Sequence, residues 1–120
     1  MMQSQWEGYF AQELRKNDLS TYSHIRKFVQ KKVDYVLEHP YSGEPLKYSL
    51  NGLRSVPVKG SYIMIYMIYE EWKEKGNEEI KEWSNLKDPE KAVIFLTVKP
   101  HDPAYEYAED WSQLNLDSII

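Results

Sequence analysis

The sequence predicts an α+β domain in which two N-terminal helices pack on a small antiparallel β-sheet, closed by a C-terminal helix or tail. Three observations carry this. Apolar residues recur at helical spacing as far as Glu38. Two later runs, 62–69 and 92–98, are apolar, aromatic or β-branched at nearly every position, as suits strands covered on both faces. Between helices and runs stands Asn51-Gly52, the strongest short-range hairpin signal.

Taken in order, Trp6, Phe10 and Leu14 lie at i, i+4 and i+8, with Tyr9 alongside, which predicts a helix over residues 4–16. Asn17 and Asp18 break it, and Ser20 is placed to cap a second helix. That helix presents Ile25, Phe28, Val29, Val33, Val36 and Leu37 on one face and ends before Pro40. Arg26, Lys27, Gln30, Lys31 and Lys32 fall between the apolar positions, as a solvated face or as one that meets phosphate.

Residues 41–45 read as a turn, and Leu46, Tyr48 and Leu50 alternate as the outgoing strand of a hairpin whose return strand is 53–58. Pro57 implies an edge or a bulge. Lys59-Gly60-Ser61 then turns into the run at 62–69, which is expected beside the run at 92–98 in the centre of the sheet. Residues 70–90 form a charged insertion with a short helix expected at 78–83. The second run stops at Lys99-Pro100-His101-Asp102-Pro103, a polar tip followed by Tyr105 and Tyr107. Trp111, Leu114, Leu116, Ile119 and Ile120 suit a closing element across the open face of the sheet, with the other helices on the opposite face. No repeat or linker divides residues 1–120, so one domain is expected.

The net charge is −4, but it is unevenly placed. Residues 1–69 hold 9 basic and 6 acidic side chains, residues 70–90 hold 4 and 8, and residues 91–120 hold 2 and 5. The acidic sum argues against strong non-specific nucleic-acid binding, while a basic first half leaves room for a local phosphate contact. With no cysteine there is neither a disulfide framework nor a thiolate metal site. No apolar run reaches the length of a membrane span, and residues 1–5 lack a leader pattern; a cytoplasmic protein is expected.

His101 is the one histidine in a site-like setting, with Asp102 beside it and phenols close behind. One histidine and one carboxylate do not make a zinc site, and no glycine-rich phosphate loop or nucleophile elbow occurs, so neither metal nor cofactor is expected. Each candidate also has a plain role: Arg54 as a strand cation, Tyr105 and Tyr107 as packing residues, His101 as a turn residue.

Several segments together resemble one family. Leu37-Glu38-His39-Pro40, Pro45-Leu46-Lys47, Gly52-Leu53-Arg54, Gly60-Ser61-Tyr62-Ile63-Met64-Ile65-Tyr66 and Val98-Lys99-Pro100-His101-Asp102-Pro103-Ala104-Tyr105 are similar, over about residues 20–107, to the RelE/ParE superfamily of toxins from toxin-antitoxin pairs. The resemblance implies a ribosome-dependent mRNA endonuclease that activates the ribose 2′-hydroxyl without metal. Its catalytic positions would be Arg54, His101, Tyr105 and Tyr107, with Lys59, Lys99, Arg26 and Lys27 contacting RNA. It implies a cognate antitoxin as partner, and the ribosome and mRNA as targets.

The departures matter as much. Ile63 stands where the family usually has arginine, Pro100 and Pro103 interrupt a tip that is often arginine-rich, and the family's N-terminal strand is not expected here. Two alternatives therefore stand beside the nuclease: a ParE-like inhibitor of DNA gyrase without nuclease chemistry, and a catalytically inactive interaction module with the same fold.

Overall fold

The two apolar runs pair with each other at the centre of a sheet. The computed structural model describes residues 5–75 and 86–119, and its elements in order are β1 (Glu7–Phe10), α1 (Leu19–Thr21), α2 (Arg26–Glu38), β2 (Glu44–Pro45), β3 (Leu53–Lys59), β4 (Tyr62–Ile68), α3 (Tyr69–Glu74), β5 (Ala92–Pro100) and α4 (His101–Ile119). They build an α+β fold around a five-stranded mixed sheet of order β1-β5-β4-β3-β2. β4 and β5 run antiparallel, from Tyr62 opposite Pro100 to Ile68 opposite Val93, as the sequence predicts.

Both central strands are largely apolar, Thr97 and Lys99 of β5 excepted, because each face of the sheet has its own core. On one face Met64, Tyr66, Ile68, Val93, Phe95 and Val98 pack under Val29, Val33 and Val36 of α2. On the other, Ile65, Met67, Ile94 and Leu96 meet Trp72 of α3 and Ala104 and Ala108 of α4. Helices thus cover both faces, and α4 is the element that closes the face α2 leaves open. The small residues Ala104 and Ala108, both fully buried, lie where α4 meets the sheet.

The N-terminus departs from expectation. Residues 4–16 are not one helix: Glu7–Phe10 is a strand, Glu13–Asp18 is a π-helical stretch, and α1 and a 3-10 turn at Ser23–Ile25 lead into α2. β1 pairs parallel with β5, Glu7 opposite Ala92 and Phe10 opposite Phe95, so the sheet is mixed rather than antiparallel. A spacing of four fits a strand as well as a helix, since every second residue shares a face. Gly8 tells them apart: it disfavours a helix, and a Cβ there would press on the Phe95 ring at 3.2 Å.

The hairpin at Asn51-Gly52 is also only partly formed. Gly52 has φ 103°, as its turn requires, but Tyr48–Leu50 is a 3-10 turn rather than a strand. Only Glu44–Pro45 pairs with β3, opposite Ser55 and Arg54. The tight hairpin is instead β3–β4, turning at Gly60 with φ 56°, and its register shifts between Pro57 and Lys59, the bulge that Pro57 implies. After β5 the chain enters α4 directly, so the polar tip at 101–103 is the first helical turn, tied by His101 N–H to the Ser61 carbonyl at 2.9 Å. The helix expected at 78–83 lies outside the described residues.

Candidate functional site

The sheet decides which candidate residues can meet. Arg54 stands opposite Tyr66 in the β3–β4 register, and Ser55 opposite Ile65. Neighbours on a strand point to opposite faces. Tyr66 belongs to the core under α2 and Ile65 to the core under α4, so Arg54 faces the α2 side and Ser55 the α4 side.

Arg54 is held by a fork. Its Nε and Nη2 donate to the two Glu71 carboxylate oxygens at 2.9 and 2.8 Å, and its Nη1 donates to the carbonyls of Gly43 and Tyr41 at 2.7 and 3.1 Å. The Tyr41 ring lies 5.2 Å from the guanidinium. Paired guanidinium and carboxylate planes give the strongest charge-assisted contact available to these side chains. The Glu71 hydrogen bond raises the Arg54 pKa further, against the opposing pull of burial. Alongside, the Tyr66 hydroxyl donates to the Pro40 carbonyl at 2.6 Å and accepts the Gly43 N–H at 3.0 Å. Together Arg54 and Tyr66 fasten the crossing from α2 to β2.

His101 and Tyr105 occupy the other face. They are one turn apart on α4, their rings 4.8 Å apart, and the Tyr105 hydroxyl donates to Ser55 Oγ at 3.1 Å. His101 Nδ1 lies 2.9 Å from Asp102 Oδ1, and both side chains are exposed. An accessible imidazole beside a phenol is equipped for proton exchange.

Tyr107 points away from that pair, because two residues along a helix are about 200° apart. Its ring lies 5.1 Å from Lys99 Nζ. Lys99 in turn donates to Glu13 and Asp18 at 2.6 Å each. Burial pulls the Lys99 pKa down, but the bonds to Asp18 and Glu13 outweigh it and leave it raised. Lys59 sits at the hairpin end of β3, its ammonium 4.4 Å over the Phe28 ring. Arg26 and Lys27 begin α2 on the surface.

The expected catalytic set is therefore distributed. His101 and Tyr105 come together, with Ser55 added; Tyr107 joins Lys99 at the β1 side; Arg54 is on the opposite face of the sheet. The partners that engage the two cations, Glu71, Glu13 and Asp18, carried no motif that singles them out in the sequence. Among the described residues no group of three or more His, Asp or Glu side chains is placed to hold a metal ion. Nor, among them, is any helix long and apolar enough to cross a membrane.

Comparison of the chain with protein-family models, with curated proteins and with solved structures finds no match.

Proposed function

We propose that this chain is a RelE/ParE-like toxin module, working in the cytoplasm, that acts by binding DNA gyrase rather than by cutting RNA. A cognate antitoxin would neutralise it. Support for the family reading comes from the order of elements. An N-terminal strand, a helical segment and antiparallel strands follow one another. The N-terminal strand usual in the family is present as β1.

The observation that carries the binding reading is the state of Arg54. A transition state of phosphoryl transfer needs donors aimed at the phosphate. Here Nε, Nη1 and Nη2 of Arg54 all face Glu71 or backbone carbonyls, on the sheet face away from His101. Lys99 is likewise held by two carboxylates, and Ile63 supplies no charge. The pair His101–Tyr105 is left as an acid–base couple for which neither Arg54 nor Lys99 is free to meet a phosphate.

Ribosome-dependent cleavage is the second reading, favoured by that same pair and its contact with Ser55. The test is a pair of assays on the purified chain. Binding-type toxicity predicts that gyrase-linked DNA breaks rise while mRNA on programmed ribosomes stays intact. Discrete cuts in ribosome-bound mRNA, lost in His101→Ala and Tyr105→Phe, would replace it with the nuclease. Neither effect would leave an inactive interaction module.

A further inference from the structure

The surface between β1 and α2 contains a groove of about 470 Å³ lined by none of Arg54, His101, Tyr105 and Tyr107, although Arg26 and Lys27, the expected RNA contacts on α2, stand beside it. Its floor is apolar: Phe10, Leu14, Leu19, Val29 and Val33. Leu14, Val29 and Val33 also belong to the core beneath, whereas Phe10 and Leu19 are only partly covered and offer carbon to the outside.

Every charged residue that lines the groove is positive: Arg15, Arg26 and Lys27. Arg15 is pre-positioned, its Nε donating to the Phe10 carbonyl at 2.9 Å, which fixes the guanidinium beside the groove. Arg26 and Lys27 are exposed and make no ion pair with the described residues. Gln30, the remaining lining residue, donates to Asp34, which does not line the groove. In a chain of net charge −4 such a concentration of unanswered cations around exposed carbon is not a consequence of composition.

We infer that this groove docks an acidic amphipathic helix of a protein partner, its apolar side on Phe10 and Leu19 and its carboxylates on Arg15, Arg26 and Lys27. The inference rests on the protein-binding reading above and names where such a partner sits. Charge complementarity selects the occupant. An apolar floor gives a nucleic-acid backbone nothing to bind, whereas helix-in-groove recognition uses apolar anchors at i, i+3 or i+4 and i+7 with charges at the rim. Rim charges of this kind steer association and select the partner's sign.

The probe is a labelled helical peptide of about 16 residues, roughly 24 Å long, with leucines on one face and glutamates on the other. Its isomer carries lysine in place of glutamate, and binding to the full chain is read by fluorescence anisotropy. The acidic peptide should bind at least about tenfold more tightly than the basic one, and Arg26→Glu with Lys27→Glu should reverse that order. Lys47→Glu with Lys87→Glu, placed elsewhere on the surface, should leave it unchanged. Equal binding of the two peptides, or an unaltered preference in the Arg26/Lys27 variant with its thermal melt intact, would overturn the inference. So would a single-stranded RNA oligonucleotide that binds more tightly than the acidic peptide and competes with it. None of these readouts involves toxicity, gyrase or mRNA, so the groove and the proposed activity fail separately.

Discussion

The carboxylate of Asp18 accepts the backbone N–H of Val98 at 3.0 Å, joining residues 80 positions apart. β1 ends at Phe10 while β5 continues to Pro100, so the outer edge of β5 needs an acceptor where no strand of the described residues lies beside it. Asp18 supplies it. The same oxygen accepts the Thr97 hydroxyl, and the other oxygen takes the Lys99 ammonium at 2.6 Å. Asp18 is 2% exposed, so its charge is tolerable only because all of these donors reach it.

Asp18→Ala should therefore destabilise the fold by about 3 kcal/mol, since it strands a buried hydroxyl and a buried N–H at once. Asp18→Asn, which keeps an acceptor oxygen, should lose less. Urea unfolding of the three proteins measures both. A midpoint for the alanine variant indistinguishable from the parent would show that the edge of β5 does not need this carboxylate.

Arg54→Ala should cost about 3 to 5 kcal/mol, because it leaves Glu71 facing two carbonyls without a cation. Glu71→Gln, which keeps a polar side chain, should cost less, and the double variant should lose less than the two singles summed. That non-additivity distinguishes a tether from a catalytic cation. If Arg54 served an RNA phosphate, its loss would abolish cleavage and leave the melting temperature near the parent's.

Gly43 is packed directly under the Tyr66 hydroxyl and ring edge, so a Cβ at Gly43 would overlap them. Gly43→Ala should lower the melting temperature, whereas Tyr66→Phe should cost about 1 to 3 kcal/mol through the unpaired Gly43 N–H and Pro40 carbonyl. In the double variant the removed hydroxyl makes room for the methyl, and part of the Gly43→Ala loss should return. Strict additivity would mean the two positions are not in contact.

Stability should fall in acid and, separately, in strong alkali, through one cluster. Burial raises the Glu13 pKa, but the bonds from Lys99 and Asn17 outweigh it and hold the carboxyl below its ordinary 4.5. A depressed carboxyl adds stability above its unfolded pKa and loses it as pH falls through the folded one. Lys99 is raised above its ordinary 10.5, so its share is present below that value and lost as pH climbs past the folded pKa. Lys99→Met should flatten the alkaline limb and shallow the acid one when melting temperature is followed across pH. An acid limb of unchanged steepness would remove the Glu13–Lys99 pair from the account.

What the sequence discloses here follows the range of the interactions. The central strands are legible because burial on both faces leaves runs at 62–69 and 92–98 that are apolar or aromatic at every position but Thr97, a purely local record. β1 is not legible because a four-residue edge strand contains too little alternation to contradict the helical spacing of Trp6, Phe10 and Leu14, with Gly8 as the opposing signal. Arg54 and Lys99 were visible as cations, but their carboxylate partners lie 17 positions away for Glu71 and 81 and 86 for Asp18 and Glu13. Nothing local marks such pairings. Only the sheet's alternation, once its register is known, separates Arg54 from His101.

The parallel pairing of β1 with β5 also sets a clock on how the domain forms. Glu7 meets Ala92, so the first strand made must wait for the last before it has a neighbour in the sheet. The β3–β4 hairpin can form as soon as it is made, whereas docking β1 closes a loop of about 85 residues, whose entropic cost must be met before any contact repays it. Until β5 is made, β1 therefore has no strand to pair with. The groove beside β1, which needs Phe10 in place, is completed among the last features of the molecule.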